Sequence, residues 1–183
     1  VPKGSEPYWP VWLSGIPGSN ALSLAERFGT DFLRYMAFVP DAGAGFDVRK
    51  YHFDRDPPRL ATMARIYDAT NPDLTAFRER GGKLLLFHGW ADPIVTPQRT
   101  LEYYDAVRAR MGGNESTAEF ARLFMLPGVD HCGLQPGPGA KSVDFDPLPA
   151  LEACVERNEA PDVLPIRWQM NDGSVRSRDV QAQ

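Results

Sequence analysis

Two short apolar segments, each ended by glycine and proline, constrain the fold of this chain more than any other feature. The first lies at residues 84–87 and the second at residues 121–126. Continuous apolar runs of this length are typical of strands that are covered on both faces of a parallel sheet. A helical pattern at residues 100–111 connects them, with Pro97 at a tolerated first-turn position. The sequence therefore predicts a strand–helix–strand unit with parallel strands.

A carboxylate and an imidazole follow the two predicted strands. Asp92 lies where the first strand ends, and His131 lies in the loop beyond the second. Taken alone, an Asp before Pro is more often a turn former, and a loop histidine is commonly only solvated. Together they match the order in which an α/β-hydrolase supplies the last two members of its catalytic triad. We therefore interpret Asp92 as the residue that orients an imidazole and His131 as the general base.

The other histidines suggest no second site. His88 lies within the first strand, so a hydrogen-bonded core histidine is the simpler interpretation, and His52 has no partner visible in the sequence. A metal-assisted hydrolysis that uses His88, Asp92 and His131 is an alternative, but the Cys/His pattern of a zinc site is missing and no metal is expected. No glycine-rich nucleotide-binding motif occurs.

A nucleophile is missing from the pattern. A hydrolase of this kind needs Gly-x-Ser-x-Gly, or a close variant, between a strand and a helix that precede the acid. Before Asp92 the chain has four serines, and none follows an apolar strand with glycine at both offsets: Ser5, Ser14, Ser19 and Ser23. The sequence thus predicts an acid and a base without the hydroxyl group that they would activate.

Composition limits the other possibilities. The chain has 183 residues, the size of one ordinary domain, and a net charge of −4, so neither a nucleic acid nor an anionic membrane is an expected partner. Two cysteines, Cys132 and Cys154, are too few for a disulfide scaffold. They could pair with each other, pair with another segment or stay free.

The chain changes character near residue 57. Residues 1–57 are rich in Pro, Gly and aromatic side chains, with one helical pattern at 21–35 and Ser23 as a late N-cap candidate. Residues 58–183 contain the strand–helix–strand unit, a helix predicted from Asp146 to about Asn158, and a short strand predicted at 166–170. We interpret 1–57 as a loop-rich lid segment and 58–183 as core.

Several blocks of the sequence resemble the C-terminal part of the tannase and feruloyl esterase family. The resemblance is dense from about residue 71 to 161 and looser over residues 38–56. The blocks are Gly81-Gly-Lys-Leu, His88-Gly-Trp-Ala-Asp92-Pro, Tyr103-Tyr104, Arg122-Leu-Phe-Met-Leu-Pro-Gly-Val-Asp-His131-Cys132-Gly, and Leu151-Glu with Ala160-Pro161. Cys154 departs from the pattern, since the family more often has an aromatic residue there.

The resemblance implies the C-terminal part of an α/β-hydrolase fold, preceded by the end of a loop-rich lid. It implies a serine carboxylic ester hydrolase for aromatic esters such as ferulates and gallates, with Asp92 and His131 as acid and base. In the family, a cysteine beside the nucleophilic serine is bonded to the position of Cys132. The family's calcium loop has no counterpart here, so no cofactor is expected in this chain and a structural calcium would bind the missing part of the lid. The resemblance also implies a secreted or periplasmic protein.

Two partners follow from this interpretation: a small aromatic ester, and either the missing N-terminal part of the hydrolase or a second chain that carries it. The alternative is a truncated, non-catalytic homologue that acts as a binding or interaction module. We expect the 183 residues alone to lack esterase activity.

Overall fold

The computed structural model describes residues 2–133 and 137–183. They form two compact units. The first unit joins the N-terminal residues up to Trp9 to Asn71–Gln183, and the second covers Pro10–Thr70. The boundary at Thr70 separates two compact units. The predicted boundary after residue 57 separates lid from core, and that boundary stays a prediction.

The described residues contain both helices and strands. The helices are α1 (Leu24–Tyr35), α2 (Ala61–Tyr67), α3 (Thr75–Glu79), α4 (Pro97–Arg110), α5 (Asn114–Ala118) and α6 (Leu148–Arg157). The strands are β1 (Leu84–Gly89), β2 (Ala121–Leu126), β3 (Ala140–Asp144), β4 (Val163–Met170) and β5 (Val175–Gln181). One-turn helical segments lie at Glu6–Tyr8, Pro10–Ser14, Val48–Lys50, Pro57–Leu60 and His131–Gly133.

The first unit is built on the predicted strand–helix–strand segment. β1 and β2 pair in parallel, from Leu84 opposite Ala121 to Gly89 opposite Leu126. α4 lies between them in sequence and begins at Pro97, as predicted. Because the two strands run in the same direction, the loops that follow them emerge at the same edge of the sheet.

β2 is covered on both of its faces, as predicted. Leu123 and Met125 join a buried cluster with residues of α4. Phe124 and Leu126 point to the opposite face and join a second cluster with Ile166 of β4. This alternation places β2 at the centre of the hydrophobic core.

For β1, the prediction of a strand buried on both faces is wrong for the described residues. Most of its residues are only half-buried, and Phe87 is 52% exposed. Within the described chain β1 is an edge strand that pairs with β2 alone. Phe87 makes an edge-to-face aromatic contact with Phe145 at 5.2 Å between ring centroids.

A second sheet, with strand order β3-β4-β5, is antiparallel. The predicted strand at 166–170 is longer, since β4 begins at Val163, and β3 and β5 were not predicted from the sequence. β5 is exposed except at Val180, so its residues show no apolar alternation. The strand forms because its backbone pairs with β4 across a turn at Gly173.

The second unit, Pro10–Thr70, contains helical segments and no strand. α1 begins at Leu24, three positions later than the predicted helix, because Ser23 is its N-cap and accepts a hydrogen bond from the Glu26 amide at 3.2 Å. No residue of α1 is buried, and Phe28 on its apolar stripe is 56% exposed. Within the described residues of the whole chain, no helix combines the length and apolarity that crossing a bilayer requires.

Candidate active site

The loops after β1 and β2 bring Asp92 and His131 into contact. His131 Nδ1 lies 2.8 Å from Asp92 Oδ2. A carboxylate can only accept, so in this contact the imidazole N–H on Nδ1 is the donor. The structure therefore joins the two residues that the sequence singled out, although they are 39 positions apart.

Asp92 has a buried and fully hydrogen-bonded carboxylate. It is 3% exposed, and its Oδ1 accepts the backbone N–H groups of Ile94 and Val95, both at 2.9 Å. Burial raises the pKa of Asp92, but hydrogen bonds from His88, Val95, His131 and Ile94 outweigh it and lower the pKa to about 2. Asp92 thus acts as a turn former through Oδ1 and as an imidazole partner through Oδ2, so both sequence interpretations apply to it.

His88 is hydrogen-bonded at both ring nitrogens, as expected for a core histidine. Its Nδ1 lies 2.6 Å from the Thr100 hydroxyl. Its Nε2 lies 3.0 Å from the Val95 carbonyl and 3.2 Å from Asp92 Oδ2. Neither the contact with Thr100 nor the sharing of Asp92 by two imidazoles was predictable from the sequence, because these contacts depend on how α4 packs beside β1.

Gly89 allows the two loops to approach each other. A Cβ atom at this position would lie 2.2 Å from the Val129 carbonyl oxygen and 2.9 Å from that of Asp130. The same region has backbone hydrogen bonds from Trp90 to Leu126 at 2.8 Å and from Ala91 to Val129 at 3.0 Å. Any larger residue at position 89 would displace the segment that leads into His131. From the sequence, Gly89 was predicted only to end the strand.

Tyr8 supports the same segment from the N-terminal part of the first unit. Its side chain is 2% exposed, and its hydroxyl donates a hydrogen bond to the Gly128 carbonyl at 2.7 Å. Burial, and then the nearby charge of Asp130, raise the pKa of the Tyr8 phenol, so it stays a donor at neutral pH. Tyr8 thereby helps to fix the chain between β2 and His131.

An open cavity of about 350 Å³ lies beside the Asp92–His131 pair. Its apolar lining consists of Phe87, Val95, Leu126, Val129, Val143 and Phe145. Such a wall, with a few polar groups at one end, suits an apolar or aromatic ligand. Among the described residues that line this cavity there is no serine.

Cys132 follows His131 directly and has an unusual backbone conformation. It is exposed, and its φ of 58° and ψ of 13° lie in the left-handed region that residues other than glycine rarely adopt. Cys154 is buried in α6, and both cysteines are free. The pairing of Cys132 with Cys154, left open by the sequence, is therefore not formed in this structure.

The metal alternative gains no support from the geometry. Among the described residues, no group of three or more His, Cys, Asp or Glu side chains is arranged to hold a metal ion. The imidazoles of His88 and His131 instead converge as hydrogen-bond partners on one oxygen of Asp92.

Comparisons with known proteins agree on one family. A family model described as tannase and feruloyl esterase matches residues 3–182. An uncharacterized esterase of Xanthomonas campestris pv. campestris is 34% identical over 93% of this chain and 35% of its own length. Mono(2-hydroxyethyl) terephthalate hydrolase of Piscinibacter sakaiensis is 37% identical over 85% of this chain and 27% of its own length.

A solved structure gives the same result for the fold. Feruloyl esterase B from Aspergillus oryzae superposes with a TM-score of 0.63 and 25% identity, covering 84% of this chain and 32% of that protein. The chain thus spans between 27% and 35% of the length of these three proteins.

Proposed function

The chain belongs to the tannase and feruloyl esterase family, and we propose that it is the part of a serine carboxylic ester hydrolase that supplies the acid and the base. The nucleophilic serine lies in sequence outside these 183 residues. The observation that carries this proposal is the 2.8 Å contact between His131 Nδ1 and Asp92 beside an apolar cavity. Below, "the complete esterase" means the polypeptide, or pair of chains, that joins this chain to that serine.

The mechanism follows from the proton positions. Because His131 donates through Nδ1, its Nε2 is the atom that takes the proton from the serine hydroxyl as the oxygen attacks the ester carbonyl. The resulting imidazolium then returns that proton to the departing alkoxide, which leaves an acyl-enzyme. Water, deprotonated by the same imidazole, hydrolyses the acyl-enzyme and restores the serine. Asp92, with its pKa of about 2, stays ionised throughout and stabilises the imidazolium.

Aromatic acyl groups fit the cavity better than small aliphatic ones. Phe87 and Phe145 form an edge-to-face pair within its wall, so a planar ring could pack against an existing aromatic surface. The names of two similar proteins, a feruloyl esterase and a terephthalate ester hydrolase, refer to aromatic acyl groups. We therefore assign feruloyl-like or galloyl-like esters as the substrate class.

The remaining expectations rest on family membership. Residues 1–57 would be the end of the lid and residues 58–183 the C-terminal part of the hydrolase core. The complete esterase would be secreted or periplasmic. A structural calcium would bind in the part of the lid outside this chain, and no catalytic step here involves it.

We expect the complete esterase to hydrolyse methyl ferulate and methyl gallate faster than methyl esters of short aliphatic acids. The aromatic wall of the cavity stabilises an aromatic ring in the transition state, whereas a short aliphatic acyl group makes few contacts with it. Comparing kcat/KM across these esters checks the assignment. A folded complete protein that binds aromatic esters and hydrolyses none of them would instead support the binding-module alternative.

We also expect reducing agent to inactivate the complete esterase without removing any metal. In the family pattern, Cys132 is bonded to a cysteine beside the nucleophilic serine, and that bond would hold base and nucleophile in register. Small misplacements of reacting groups weaken catalysis strongly. Cys132→Ser should therefore lose activity and become insensitive to reductant, whereas Cys154→Ser, at a buried site in α6, should keep the sensitivity. Peptide mapping that finds Cys132 free, or bonded to Cys154, would refute the cross-link.

A further inference from the structure

His88 has contacts that the mechanism above does not use. Its side chain is 13% exposed, and it shares Asp92 Oδ2 with His131. The side chain of Asp92 is 4% exposed, so solvent has little access to this shared oxygen. Asp92 therefore accepts four hydrogen bonds, from two backbone amides at Oδ1 and from two imidazoles at Oδ2.

The neighbours of His88 define its tautomer when the ring is neutral. Nε2 faces the Val95 carbonyl at 3.0 Å, a group that can only accept, so the ring proton is on Nε2. Nδ1 then accepts the hydroxyl hydrogen of Thr100, from α4, at 2.6 Å. With its proton on Nε2, His88 also points a donor at Asp92 Oδ2, 3.2 Å away.

We propose that His88 is a positioning residue, which holds Asp92, through the Nε2–H group and Oδ2, in the orientation that His131 requires. The inference rests on the proposed function, because it assumes that His131 is the base. It modifies the interpretation of His88 as only a core histidine. Thr100 is the second member of this device, since its hydroxyl donates to Nδ1 and supports the ring in the tautomer whose proton faces Asp92.

The test compares His88→Leu, His88→Asn and His88→Gln in the complete esterase. Glutamine carries an amide N–H at about the reach of the histidine Nε2, whereas the shorter asparagine cannot reach Asp92. We expect Leu and Asn to lower kcat about tenfold with little change in KM. Glutamine should recover most of kcat. His52→Gln, at an exposed position in the second unit, is the matched control.

Thr100 provides a second test if the His88 variants fold poorly. Thr100→Val keeps the shape of the side chain and removes its hydroxyl, so kcat should fall about threefold, and Thr100→Ser should restore it. Equal kcat for the Leu, Asn and Gln variants, or for the Val and Ser variants, would overturn the positioning role. A failure of the proposed function is separate, because it would show as turnover that survives in His131→Ala.

Discussion

Replacing His131 with alanine in the complete esterase is expected to lower kcat for methyl ferulate by at least about ten-thousandfold. The variant has no base to take the serine proton and no acid to protonate the leaving alkoxide. Asp92→Asn should also be severe. An asparagine can present its NH₂ group to His131 Nδ1, which favours the tautomer whose proton is on Nε2, where the serine hydroxyl would need an acceptor.

The histidines of the chain provide internal controls for this result. His52→Ala changes an exposed residue of the second unit and should leave kcat unaltered. His88→Ala should leave most of the rate enhancement, because its effect passes through Asp92 and is limited to about tenfold. Mild and equal losses at His88 and His131 would contradict the assignment of His131 as the base.

The second large effect concerns the 183 residues expressed alone, which are expected to show no hydrolysis of any aromatic ester. No serine lines the cavity among the described residues, so we expect the hydroxyl that His131 activates to come from outside this chain. The assay compares the isolated chain with the complete esterase on methyl ferulate and p-nitrophenyl esters. Turnover by the isolated chain that disappears with His131→Ala would reveal a nucleophile within these residues.

The isolated chain is also expected to aggregate or to bind a hydrophobic dye. Phe87 on the edge strand β1 is 52% exposed, and the edge of β1 away from β2 is unpaired among the described residues. Exposed apolar surface beside an unpaired strand edge promotes association. Phe28 of α1, 56% exposed, adds a second apolar surface in the other unit. A well-folded monomer that binds no dye would show that these surfaces need no covering.

The sequence was sufficient to predict the parts of the fold that depend on local pattern. β2, the start of α4 at Pro97 and the Ser23 cap follow from apolar runs, proline position and capping chemistry. The approach of Asp92 to His131 was also predictable, since parallel strands place their following loops at one edge.

The features that could not be predicted depend on distant contacts. β5 has exposed residues at all but one position, and only its pairing with β4 makes it a strand. The need for glycine at position 89 arises from the Val129 carbonyl, which is 40 residues away in sequence and in contact in space. The Thr100–His88–Asp92 chain likewise depends on how α4 packs beside β1.

The central claim is that His131 activates a serine outside this chain. The direct measurement is to treat the complete esterase with a fluorophosphonate, which forms a covalent bond with an activated serine oxygen and releases fluoride, and to locate the label by peptide mass spectrometry. We predict one labelled serine, outside these 183 residues, and its loss in the His131→Ala variant. A label on a serine within the chain, or labelling of equal rate in His131→Ala, would contradict the claim.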